Sequence, residues 1–149
     1  MSARESASDN QGNGLGLVAF CCANSSPRAA ELSKATFQVD GVEVRLALLA
    51  CSSKIEILHV LRALEKGADG VALWTCPEKA CKFGRGSIRA GKRIERARRI
   101  LDQIGLGSQR VFLQALDQAD AEALNKALKS TVSELAKLGK SPLKNIGVK

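Results

Sequence analysis

The chain has 149 residues, of which 45% are hydrophobic and 26% charged, and a formal net charge of +8. That length suits one domain with its own core, so folding need not rest on disulfides or a metal. No segment approaches the ~20 apolar residues of a membrane span, and Met1–Ser6 lacks a basic stretch followed by an apolar one, so direct membrane insertion and secretion are not expected and the cytoplasm is.

Residues 1–14 are polar and rich in Ser, Gly and Asn, the composition of a disordered leader. Gly12, Gly14 and Gly16 precede the first predicted strand, whereas a dinucleotide fingerprint must follow one. Leu15 to Cys22 is a continuous apolar run, the pattern of a strand covered on both faces. Asn24, Ser25 and Ser26 offer capping oxygens and Pro27 suits a first helical turn, which predicts a helix to about Phe37. After the break at Gly41, a second strand is predicted from Val42 to Ala50, and it runs into Cys51. Ser52 and Ser53 are the expected caps of a helix from Lys54 to Lys66, with an apolar stripe of Ile57, Leu58, Leu61 and Leu64. A third strand, Val71 to Thr75, leads into Cys76.

Cys76 and Cys81 then share a loop that Pro77 keeps from continuing the strand. Beyond it come a basic helix, Ile88 to Ile104, a short strand, Val111 to Ala115, and an amphipathic helix, Asp117 to Leu138. Residues 140–149, with Pro142, read as a tail, which leaves 15–139 as a single domain. Strands alternating with helices predict an α/β fold: a three-layer sandwich around a four-stranded, mainly parallel sheet of the Rossmann or flavodoxin-like kind.

In such a sheet, functional groups gather beyond the carboxyl ends of the strands. Cys22, Cys51 and Cys76 each stand at such an end, and Cys81 can join them from the loop. In a reducing compartment, four converging thiols point to zinc or to an iron–sulfur cluster. The chain has no Cys-x-x-Cys knuckle of the kind structural zinc sites favour, and single cysteines from separate strands fit a cluster on a preformed scaffold better. Side-chain alternation makes Cys21 a buried hydrophobe and Cys22 the ligand, with the reverse assignment as the alternative. His59 reads as a boundary residue and Trp74 as core or a lid; no Ser/His/Asp or paired-carboxylate set suggests a catalytic residue.

Between Glu78 and Arg99 stand nine basic residues and two acids, a local balance of +7 that carries most of the chain's charge. Lys79, Lys82, Arg85, Arg89, Lys92 and Arg93 form the candidate docking face for an acidic partner or another anion.

The residues that carry a family resemblance are Phe20-Cys21-Cys22, Cys51-Ser52, the run Glu65 to Val71, Cys76 with Cys81, and the arginine-bearing helix from Gly91 to Gly105. From about Leu15 to Gly139 the sequence resembles the delta-subunit family of methyl-viologen-reducing hydrogenase. The resemblance implies one [2Fe-2S] cluster, with Cys22, Cys51, Cys76 and Cys81 as its ligands. It implies an electron-transfer subunit, not a catalyst, working between a hydrogenase- or dehydrogenase-type donor and a heterodisulfide-reductase-like flavin or iron–sulfur partner. The sequence departs from the family where members have Cys-Cys-Asn-Trp-Cys and Cys-Ser-Gly-Arg; here stand Cys21-Cys22-Ala23-Asn24-Ser25 and Cys51-Ser52-Ser53-Lys54. The alternative reading is a basic binding module, zinc-stabilised or metal-free, for nucleic acid or another polyanion. Four Phe, one Trp and no Tyr leave little for base stacking, which makes nucleic acid the lesser expectation.

Overall fold

A computed structural model describes residues 14–23, 25, 28–77, 85–116, 120 and 122–142. Its strands are β1 (Gly16–Cys22), β2 (Phe37–Val39), β3 (Val42–Leu49), β4 (Gly70–Thr75) and β5 (Val111–Ala115). Its helices are α1 (Ala29–Leu32), α2 (Ile57–Glu65), α3 (Gly86–Gln103) and α4 (Ala123–Leu138). The sheet order is β2-β3-β1-β4-β5, and every pairing is parallel except β2 with β3. The mainly parallel α/β sandwich expected from the sequence is therefore present, with a fifth strand added at one edge.

Both faces of the sheet are covered, and the apolar runs show why. β4 is buried at all six positions. Leu17, Ala19, Cys21, Val44, Ala72 and Trp74 face one way and pack with Leu124, Leu128, Val132 and Leu135 of α4. Val71, Leu73 and Val111 face the other way and pack with Val60 and Leu64 of α2 and with Ala90, Ile94, Ala97 and Leu101 of α3. The helix stripes recur every three or four residues, as burial of one helix face requires.

Three element boundaries differ from the sequence expectation. The helix predicted to about Phe37 stops at Leu32, because Phe37–Val39 pairs antiparallel with Val42–Val44 across a turn at Asp40-Gly41. Asp40 and Gly41 have φ of 49° and 85°, the left-handed conformations that a two-residue hairpin loop needs. Ser52–Lys54 forms its own 3₁₀ turn, and α2 is capped by Glu56, whose backbone N–H donates to His59 Nδ1 at 2.9 Å in a capping box. α4 begins at Ala123 because Asp120 draws the backbone into a local turn, accepting a bond from Glu122 N–H at 2.9 Å. Residues 1–13 and 143–149, which hold most of the expected leader and tail, lie outside the described residues. Among the described residues, no helix is long and apolar enough to cross a membrane.

Candidate metal centre

The central strand β1 has β3 on one side and β4 on the other, so the strand order reverses beside β1. A crevice at the carboxyl ends of the strands is expected at that reversal. Cys22 ends β1, opposite Leu49 at the end of β3. Cys76 follows directly on Thr75, the last residue of β4, and Cys51 lies two residues beyond β3. The ladders continue past the thiols: Ala23 N–H donates to Leu49 O and Leu116 N–H to Thr75 O, both at 2.8 Å. The thiols thus rest on ordered strand ends and not on free loops.

Across the reversal, the sulfurs of Cys22 and Cys76 stand 3.7 Å apart, and both residues are buried. Two thiolates on one tetrahedral metal, with metal–sulfur bonds of about 2.3 Å, are held about 3.8 Å apart. The pair therefore fits half the ligand set of a tetrahedral thiolate centre. Cys51 is extended and also buried, and Ser53 Oγ donates to its sulfur at 3.3 Å. Among the described residues, no three His, Cys, Asp or Glu side chains form a group that could hold a metal ion. The structure thus brings Cys22 and Cys76 together and leaves Cys51 on the same crest outside their pair. The expected fourth ligand, Cys81, lies outside the described residues, as do Lys79 and Lys82.

Cys21 points into the α4 side of the core with no measurable exposure. Its sulfur meets Ser25 Oγ at 3.2 Å. Burial pushes this thiol up to about 11, against the lowering effect of the Ser25 bond, and Cys22 adds to the rise. It is a neutral packing group on the opposite face of β1 from Cys22, as alternation along a strand requires.

Two buried polar atoms, Trp74 Nε1 and Ser87 Oγ, have no hydrogen-bond partner among the described residues. Ser87, in the first turn of α3, shares the wall of a cavity of about 440 Å³ with Thr75 and Cys76. A buried donor without a partner costs stability, so its presence beside Cys76 fits an acceptor bound in that cavity.

Of the basic residues, Arg85, Arg89 and Lys92 are exposed. Arg89 and Lys92 line an open groove of about 850 Å³ with Arg96, Arg99 and Leu58. Arg93 is half-buried, and its Nη1 donates to the carbonyl of Ser53 and, at 3.0 Å, to that of Ile55. Arg98 likewise donates Nε and Nη2 to Val111 O, at 3.2 and 2.9 Å. Sequence reasoning groups Arg93 with the docking residues, makes Ser53 a helix cap and assigns no role to Ser87. The spacing of Ser53, two residues after a thiol, is the available signal.

Together these features define an α/β domain of flavodoxin-like strand order with its thiols at the reversal. The chain belongs to the family of the methyl-viologen-reducing hydrogenase delta subunit, whose profile matches residues 17–139. It is 31% identical over 128 residues to the F420-non-reducing hydrogenase vhu iron-sulfur subunit of Methanocaldococcus jannaschii, covering 86% of this chain and 96% of that protein. The protein of the same name from Methanococcus maripaludis is also 31% identical over 128 residues, with the same coverage. The ferredoxin:CoB-CoM heterodisulfide reductase of Methanosarcina mazei contains a larger polypeptide that is 30% identical over 123 residues, which are 83% of this chain and 16% of that polypeptide.

Proposed function

We propose that the chain is an electron-transfer subunit of a redox complex, with one [2Fe-2S] cluster held by Cys22, Cys51, Cys76 and Cys81. The observation that carries this reading is the 3.7 Å separation of Cys22 and Cys76 across the strand-order reversal. The names of its relatives, iron-sulfur subunits of hydrogenases and a component of heterodisulfide reductase, support the cofactor class and the kind of partner. When bound, such a cluster supplies a one-electron carrier. The chain's own part is to hold Cys22 and Cys76 on ordered strand ends, with Cys51 and Cys81 as the further ligands, to exclude water by burial, and to dock the carrier against its donor and acceptor. Docking falls to the basic face around Arg85, Arg89 and Lys92, together with Lys79 and Lys82 of the neighbouring sequence, against an acidic flavin- or cluster-bearing partner in the cytoplasm.

Anaerobic purification, iron and acid-labile sulfide analysis, and EPR of the reduced protein test this directly. The expected result is two irons and two sulfides per chain, with a one-electron signal. The thiolate spacing suits zinc equally well, so stoichiometric zinc with no labile sulfide overturns the reading.

A further inference from the structure

We infer that Arg93 and Ser53 form a relay that positions Cys51 and sets the electron affinity of the centre it serves. Arg93 stands two turns into α3, about 10 Å along the axis from Gly86. Its Nη1 donates to the carbonyls of Ser53 and Ile55, which bracket the end of the 3₁₀ turn following Cys51. Ser53 is bound twice: its carbonyl accepts from Arg93, and its hydroxyl donates to Cys51 Sγ at 3.3 Å. The guanidinium thereby fixes the backbone from which the Ser53 hydroxyl is aimed. α3 also begins against the cavity wall that holds Cys76 and Ser87. One helix thus holds the turn that follows Cys51 and lines the cavity beside Cys76.

An O–H···S bond to a ligand sulfur withdraws electron density and favours the reduced, more negative state of a thiolate-bound centre. Bonds to ligand sulfurs are among the levers that set such potentials. Arg93 is therefore a positioning residue and not a docking one, in contrast to Arg85, Arg89 and Lys92, whose side chains stay exposed.

The effect on a potential presupposes the cluster proposed above, and the test separates the two. Spectra and sulfide analysis of the wild-type chain first decide the cluster. Midpoint potentials are then measured on the full chain for wild type, Ser53→Ala, Ser53→Thr, Arg93→Gln and the Ser53→Ala/Arg93→Gln pair. The expected result is a more negative potential for Ser53→Ala and Arg93→Gln with the cluster retained, and a value near wild type for Ser53→Thr. The double variant moves no further than the larger single one, because both act through the same sulfur. An unchanged potential in Ser53→Ala with an intact cluster overturns the relay, and so do fully additive shifts. Should Arg93→Gln fail to hold the cluster, Arg93→Lys takes its place in the cycle. Alkylation of Cys51 in the metal-free chain, mapped by peptide mass spectrometry, gives a reading independent of any cluster. Run at a pH high enough to ionise the thiols, it is expected to be several-fold faster in Ser53→Ala and Arg93→Gln, because the sulfur loses its hydrogen-bond donor, and equal rates overturn the relay there too.

Discussion

Adjacent cysteines on one strand can have opposite roles because a strand turns successive side chains to opposite faces. Cys21 enters the core with Trp74 and Leu17, while Cys22 meets Cys76 at 3.7 Å. Cys22→Ser and Cys76→Ser are expected to abolish cluster content while Cys21→Ser keeps it, as measured by iron and sulfide per chain. Equal loss in all three would reverse the assignment. Ser87 gives a second test at the same scale, since its buried hydroxyl has no partner among the described residues. Ser87→Ala is expected to stabilise the cluster-free chain by about 1 kcal/mol, because an unsatisfied buried polar group is removed. Thermal melts of the metal-free protein check this, at roughly 2–4 °C per kcal/mol. In the loaded protein the same change is expected to make the potential more negative. A lower melting point in the metal-free chain would mean that the hydroxyl has an internal partner after all.

At the scale of elements, the edge hairpin shows which sequence signals carry weight. Asp40 and Gly41 sit between Val39 and Val42 with both φ angles positive, so Gly41→Ala places a Cβ in strained backbone. A cost of about 1 kcal/mol in chemical unfolding is expected, with the visible spectrum of the loaded protein unchanged, since the hairpin lies at the sheet edge beyond β3. The break at Gly41 was legible in the sequence, but the hairpin was not, because β2 is only three residues long and Pro27 with its capping neighbours predicts a longer helix. The parallel strands were legible because Leu15–Cys22 and Val71–Thr75 are apolar at nearly every position, as strands covered on both faces must be. Their cysteines could be placed at one edge of the sheet because each ends its run. The late start of α4 was not legible, since the turn around Asp120 rests on bonds to its carboxylate from Glu122 N–H and Lys126 Nζ that no periodicity reveals. The same holds for the Arg93 contacts, which join residues 38 and 40 positions apart.

The whole molecule places a buried polar anchor and the strand-end thiols at opposite ends of the sheet. At the amino edge Asp69, wholly buried, accepts from Gly16 N–H at 2.8 Å and Ser141 N–H at 2.6 Å. Arg110 donates to Asp69 O at 3.0 Å, to Gly139 O at 2.8 Å and to Lys140 O at 3.0 Å. Burial lowers the pKa of its guanidinium and the charge of Asp69 opposes that. Asp69→Ala leaves buried donors unpaired and is expected to cost about 3 kcal/mol, a fall of roughly 6–12 °C in melting temperature. The EPR signal of the loaded protein should survive, because the thiols lie at the far end of the strands.

The outer face of α3 instead carries the charge. Arg93 and Arg98 are engaged by backbone carbonyls, so the field available to a partner comes from exposed residues such as Arg89, Lys92, Arg96 and Arg99. Clustered charge of one sign speeds encounter with an oppositely charged surface far more than it tightens the final complex. Lys92→Glu with Arg96→Glu changes the face by four charges, and stopped-flow electron transfer from the native redox partner is expected to slow more than about tenfold at low salt. Near 1 M salt, where the Debye length falls to about 3 Å, the variant and wild-type rates should converge. The cluster spectrum should not change, since neither side chain is bonded to the thiol-bearing turns. Equal rates at low salt would move the docking surface away from α3, whereas a deficit that persists at high salt would mean the substitutions damage packing and not encounter.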